Sequence, residues 1–166
     1  MSKRLKLYYI DDDYVEYLRE FDDRVPYNKK GTRPFVGVVY EYNGFNYFAP
    51  LASPKTKHLK ISTKALDVFK IDDGKLGIVN LNNMIPTPSE CLTEVISSIN
   101  DIQYKILLNN QIAFLNSYKD ELYAKTKKFQ NQYRKGYLDD KVKSRSCNFL
   151  LLEEKCLEYN KAEVGN

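Results

Sequence analysis

The sequence contains no tryptophan, three cysteines and one histidine. Cys91, Cys147 and Cys156 are odd in number and lack CxxC spacing, and a lone histidine cannot complete a usual zinc set. Neither a disulfide framework nor a structural zinc is expected, and no metal ligand or cofactor is assigned. Nothing approaches the roughly 20 apolar residues of a membrane span, and the basic start Met1–Leu5 leads into a short alternating run rather than an apolar leader. A soluble cytoplasmic protein with no membrane partner is the expectation. Gly-rich phosphate cradles, metal-ligand motifs, internal repeats and low-complexity tails are also missing.

What is present suits one compact domain over residues 1–166, since 43% hydrophobic content is enough for a real core. The net charge of +4 is mild for a nucleic-acid binder, so its distribution matters more than its total. Between Glu41 and Asp67 there is no acid, while Lys55, Lys57, Lys60 and Lys64 sit there with His58. A second acid-free run, Leu122 to Leu138, holds Lys125, Lys127, Lys128, Arg134 and Lys135. Each run alone reads equally as a solvated surface; together they suggest two faces for a polyanion. The 14 tyrosines and 8 phenylalanines matter because aromatic faces stack on unpaired bases, although most should be core or strand residues.

Leu5–Ile10 alternates like a first strand, and Asp11, Asp12 or Asp13 can cap a helix carrying Tyr14, Tyr17, Leu18 and Phe21 to about Asp23. Arg24 to Pro34 reads as a basic loop containing Lys29 and Lys30. Phe35–Tyr42 and Phe45–Leu51 form a hairpin around Asn43-Gly44, the favoured type I′ pair, with its second strand ending at Pro50. Short strands follow at Val68–Ile71 and Lys75–Asn80, turning at Asp73-Gly74, with an edge at Met84–Pro86. Ile102, Ile106, Leu107, Asn110, Phe114, Leu115, Tyr118 and Leu122 predict a long helix from about Ile99 to Tyr123, continued by a basic helical stretch to about Tyr133. Gly136 breaks it, and Cys147–Tyr159 forms a last amphipathic helix. The architecture predicted is α+β: a small, strongly bent antiparallel sheet or open barrel packed against helices.

The loop after the hairpin places a hydroxyl at Ser53, a stiffening Pro54 and cations at Lys55 and Lys57 ahead of His58. Hydroxyl and ammonium groups donate to non-bridging phosphate oxygens, where fixed donors stabilise transition-state charge. On spacing alone, a serine that merely bonds the backbone before a turn is the commoner explanation. With no carboxylate in the loop, RNA cleavage there would use the substrate's own 2′-hydroxyl, leaving a 2′,3′-cyclic phosphate and a 5′-hydroxyl. His58, with the one unperturbed pKa near neutrality, is an acid–base candidate; it could equally bind phosphate or do nothing.

Several ordered segments resemble the ToxN/AbiQ toxins: Val25-Pro26, Phe35-Val36-Gly37-Val38, Ala49 to Lys55, Leu76 to Asn80, Asn83 to Pro86, Cys147-Asn148-Phe149 and Leu152 to Lys155. The resemblance runs from Tyr9 to about Tyr159. It implies a bent sheet related to the small barrel of MazF-like and Kid-like toxins, and metal-independent, sequence-selective RNA cleavage, often within A-rich sites. It also implies an antitoxin that is itself RNA, a repeat transcript cut into pseudoknots that stay bound and inhibit. Toxin and pseudoknot would alternate head to tail in a closed assembly, target mRNA would be the other partner, and some relatives abort phage infection. By resemblance, Ser53 matches the family's catalytic hydroxyl and Lys55 its phosphate-facing lysine; Arg33 matches a basic residue before the Phe-Val-Gly-Val strand, and Tyr27 loosely matches a loop tyrosine. Ala52 stands where relatives often carry threonine. Lys29, Lys30, Ala52, Lys57, His58, Lys60 and Lys64, with Lys125, Lys127, Lys128, Arg134, Lys135, Lys143 and Arg145, are the candidate RNA-binding residues. A non-catalytic RNA-binding module, stacking bases on Tyr42, Phe45 or Tyr47, is the rival reading.

Overall fold

The computed structural model describes residues 3–165, with side chains up to Tyr159; Met1 and Ser2 of the basic start, and Asn166, lie outside the described residues. The strands are β1 (Lys6–Ile10), β2 (Phe35–Tyr42), β3 (Phe45–Ala52), β4 (Val68–Lys70), β5 (Ile78–Asn80), β6 (Ile85–Pro86) and β7 (Leu92–Glu94). The α-helices are α1 (Asp12–Arg19), α2 (Thr56–Lys60), α3 (Ile102–Ser117), α4 (Lys119–Lys135), α5 (Asp140–Arg145) and α6 (Phe149–Gly165). This is the expected α+β arrangement, an open antiparallel sheet ordered β4-β5-β3-β2-β1-β7 with long helices in the C-terminal half. Among the described residues no helix is long and apolar enough to cross a membrane.

The hairpin forms where the sequence puts it. Asn43 and Gly44 both take positive φ, 49° and 84°, as a type I′ turn requires. Register then jumps from Gly37↔Phe48 to Tyr40↔Tyr47, leaving Val38 and Val39 as extra residues in β2. Such a bulge bends the strand and increases its twist. On its other edge β3 has two successive partners, β6 at Tyr47–Phe48 and β5 at Leu51–Ala52. The strand therefore runs two residues past Pro50, where the sequence reading stopped it: Leu51 N–H donates to Pro34 O (3.1 Å), and β5 supplies a new partner.

Three other expectations need correction. The helix after β1 ends at Arg19 rather than near Asp23, and Asp11 occupies the N-cap without a side-chain cap bond. Beyond Arg19 the chain is fastened instead by buried Asp22, whose carboxylate accepts from Arg24 N–H (3.0 Å) and Nε (2.9 Å) and from Asn148 N–H (2.7 Å). The single helix expected over 99–123 is two, divided at Tyr118. Its buried face is Leu108, Gln111, Ile112 and Leu115, while Ile102 is 71% exposed and Ile106 49%. Two apolar stripes about one residue apart compete on this helix, and periodicity alone does not choose between them.

The apolar core is one cluster drawn from the sheet, α1, α3, α4 and α6. Phe149 packs edge-on to Tyr47, Phe129 and Tyr133, locking both C-terminal helices to β3. Into this core the chain inserts a polar relay: buried Tyr47 donates its hydroxyl to Glu153 (2.6 Å), and Glu153 pairs with Arg134 (2.7 Å). The Arg134 guanidinium lies 3.7 Å above the centre of the Tyr42 ring. Cys91, Cys147 and Cys156 are buried thiols, and burial pushes those of Cys147 and Cys156 up.

Two local devices set the path of the chain as it leaves β3. Gly77, at φ +98°, passes so close behind the strand that a Cβ there would sit 2.0 Å from the Ala52 carbonyl oxygen. Next, α2 closes on itself: Lys55 N–H donates to His58 Nδ1 (3.1 Å) and His58 N–H to Lys55 O (2.9 Å). His58, expected as an exposed group, is 1% exposed; its ring nitrogen is an internal acceptor, so the neutral imidazole is the fitting form. Burial, then the Lys57 and Lys55 charges, lower its pKa.

Gly77→Ala is expected to lower unfolding free energy by at least about 1–3 kcal/mol through backbone strain, read by urea denaturation. For His58, the folded chain takes up a proton less readily than the unfolded chain, so its stability is intact above about pH 6.5 and falls as pH drops below that. Denaturation between pH 7.5 and 5.5 should show this decline in the native protein and a flatter profile in His58→Gln.

Candidate functional site

Where β3 leaves the sheet, a cleft of about 360 Å³ opens between β1, the loop before β2, and α3. Leu51, Leu108 and Gln111 line its base, Tyr9 and Tyr104 flank it, and Lys29, Thr32 and Ser53 bring polar groups to it. Three other stretches of chain thus share the cleft with Ser53. Each is held by its own local chemistry.

The loop before β2 is wound around one acceptor. Lys29, Lys30 and Gly31 all take positive φ (50°, 56° and 84°), and the amides of Gly31, Thr32 and Arg33 donate to Asn28 O at 3.0, 3.1 and 3.3 Å. Asn28 is itself fully buried, with its side-chain nitrogen on Ile10 O (2.9 Å). Thr32 Oγ1 donates to Lys29 O (2.7 Å), and Arg33 Nε donates to Tyr27 O (2.7 Å). Burial lowers the Arg33 pKa and raises those of Tyr9 and Tyr104, so both phenols keep their protons. Tyr104 opens α3, where Asp101 accepts its amide (3.1 Å) in an N-cap.

The predicted residues divide accordingly. Ser53 and Lys29 line the cleft; Lys55 lies two residues beyond, exposed at the start of α2. Arg33 is half-buried beside Tyr104, whereas the Tyr27 ring is 55% exposed, 5.8 Å from the Arg19 guanidinium, and offers the site only its carbonyl through Arg33. Ala52 is paired with Ile78. Lys30, Lys57, Lys60 and Lys64 are exposed, as are Lys127, Lys128, Lys135 and Lys143.

Three candidate cations are engaged internally instead. Lys125 Nζ donates to Val68 O (2.9 Å) and Thr63 O (3.2 Å), and its burial lowers its pKa. Arg145 makes two bonds to buried Asp67, at 2.6 and 3.0 Å, which hold that carboxyl below its usual range despite burial. Arg134 is the partner of Glu153. The Lys125 and Arg145 bonds form a seam between α4, α5 and residues 63–68, and the Lys125 bond to Thr63 ties the two basic runs together across it.

Tyr9, Thr32, Tyr104 and Gln111 were not singled out from sequence, and no motif links them. Among the described residues no three His, Cys, Asp or Glu side chains gather as metal ligands. Hydroxyls, an amide and a lysine instead suit the oxygens of a phosphate and the edge of a base.

Residues 6–157 match the family described as Toxin ToxN, type III toxin-antitoxin system. The endoribonuclease ToxN of Pectobacterium atrosepticum is 34% identical over 167 residues, covering 95% of this chain and 95% of its own. A solved toxin studied for selective inhibition by a non-coding RNA pseudoknot superposes with a TM-score of 0.76 at 31% identity, covering 95% of this chain and 99% of that one. AbiQ, a lactococcal anti-phage endoribonuclease of a type III system, superposes with a TM-score of 0.79 at 26% identity, covering 96% and 99%. With relatives aligned from end to end and the cleft built where β3 releases its serine, this chain belongs to the ToxN family of type III toxin–antitoxin systems and is an endoribonuclease.

Proposed function

We propose that this endoribonuclease, acting as one domain over residues 1–166, cuts single-stranded RNA at the Ser53 cleft without a metal ion. The convergence of Ser53, Lys29 and Thr32 on one cleft carries the reading. A 2′-oxygen attacks the adjacent phosphorus, the P–O5′ bond breaks, and the products are a 2′,3′-cyclic phosphate and a 5′-hydroxyl. The 2′-hydroxyl gives up one proton and O5′ receives one. Ser53, Lys55 and Lys29 donate to the phosphate oxygens as charge develops, and Arg33 adds a cation behind them. The Thr32 hydroxyl, which gives its proton to Lys29 O, does not replace the donor that Ala52 lacks. His58 shapes the loop and takes no part in proton transfer.

The same cleft is where a processed RNA antitoxin would bind and inhibit; a related toxin is selectively inhibited by a non-coding RNA pseudoknot. A closed head-to-tail assembly with pseudoknot repeats, target mRNA as substrate, a cytoplasmic site of action and a role against phage complete the proposal. Its RNA-binding surface consists of the exposed lysines, Lys57, Lys60 and Lys64 on one side of the seam and Lys127, Lys128, Lys135 and Lys143 on the other.

Ser53→Ala should reduce cleavage by about 100-fold or more, the usual cost of one transition-state donor, while circular dichroism and antitoxin RNA affinity stay close to the native values. Cleavage is expected to persist in EDTA and to leave cyclic-phosphate ends; loss of cleavage on chelation overturns the metal-free route. Affinity for single-stranded RNA should fall steeply with salt, and replacing Lys57 and Lys60 by Gln should flatten the log–log slope by about 0.7 for each phosphate that is no longer neutralised.

A further inference from the structure

Gln111 is the feature of the cleft that packing does not explain. It sits on the buried face of α3 between Leu108 and Leu115, and is 2% exposed. Its amide nitrogen donates to Leu76 O (2.8 Å), a bond that fixes the orientation of the amide, because the reversed orientation would set two oxygens against each other. The price is Oε1, a buried acceptor with no donor among the described residues. Leaving an acceptor unpaired inside a protein costs free energy. Gln111 also lines the cleft in which Ser53 lies, together with Tyr9 and Tyr104.

We propose that Gln111 reads the base of the nucleotide beside the cut phosphate, accepting through Oε1 the exocyclic amine of an adenine or a cytosine. This rests on the reading of the cleft as the site of RNA cleavage. The base enters between Tyr9 and Tyr104, where a phenol ring can stack on it whatever its identity. Selection then comes from the amide. Adenine and cytosine place an amine beside a ring nitrogen acceptor, the pattern a glutamine amide complements with its own oxygen and second N–H. Entering by the same edge, uracil O4 and guanine O6 instead turn an oxygen towards Oε1 and leave both acceptors unpaired. A site that buries a polar group for one partner discriminates strongly against analogues lacking that partner.

The test is a cycle between substrate and enzyme. Cut sites are first mapped on a random single-stranded RNA pool; each adenosine or cytidine flanking the preferred cut is then replaced by purine riboside or pyrimidin-2-one riboside, which lack only the amine. For the native enzyme, removal of the amine at one flanking position should lower kcat/KM at least about tenfold. In Gln111→Met or Gln111→Leu, two variants whose folding is checked by circular dichroism, the same replacement should have no effect. The inference is overturned if no flanking amine matters to the native enzyme, or if a folded variant remains as sensitive to its loss. If the native enzyme cuts no RNA in the pool, the failure lies instead with the cleavage reading.

Discussion

Strand β3 is hydrogen-bonded along both edges, and the geometry of the cleft depends on that double attachment. On one side it pairs with β2 from Phe45 to Pro50; on the other it changes partner from β6 to β5. A strand with one free edge could slip or fray where Pro50 withholds its N–H. Here the last two residues are secured by β5, with Gly77 pressed against Ala52, so Ser53 begins its loop from a fixed point. The loop then turns at once into α2 and is closed by His58. Rigidity on both sides of an exposed hydroxyl is what the proposed in-line attack on a phosphate requires, since small misplacements of the reacting atoms slow such a reaction severely.

The ion pairs follow a similar logic of attachment. Arg134 and Arg145 look in sequence like members of a basic surface, yet each is matched with a buried carboxylate, Glu153 and Asp67. Removing either arginine would leave a charge in the interior without compensation, a larger penalty than losing an exposed pair. The fully exposed cations of the proposed RNA surface are therefore lysines, compact point charges that follow a phosphate backbone without demanding bidentate geometry. Tyr42, offered by the sequence as a base-stacking platform, is covered by the Arg134 guanidinium on one face.

Legibility varied with the range of the forces involved. Asn43-Gly44 announces its turn within two residues, and the hairpin was plain from sequence. The α+β architecture and the endoribonuclease family were likewise accessible, although Ser53 gained its standing from the ordered resemblance and not from the Ser-Pro-Lys spacing. The rest depended on partners far apart in the chain. Glu153 lies 19 positions from Arg134, and Arg145 78 positions from Asp67, so neither pairing leaves a local pattern. His58 stands among lysines and reads as solvated until its ring is seen to accept an amide one turn back. The α3 face was misjudged in part: Leu115 is buried as expected, but Leu108 and Ile112 are buried where Ile102 and Ile106 were expected, and only the sheet decides between them. Tyr9, Thr32, Tyr104 and Gln111 are scattered along the chain, and folding alone brings them together.

The left-handed turn at Lys29–Gly31 has a consequence of its own. Loops that hold phosphate commonly do so with main-chain amides, which fixes their charge preference in the backbone itself. In this loop three successive amides already converge on Asn28 O, so the main chain has little left to offer an anion. Whatever the loop offers a ligand in the cleft is then written in the side chains of Lys29 and Thr32. Such a loop can be rewritten residue by residue while its frame stays in place.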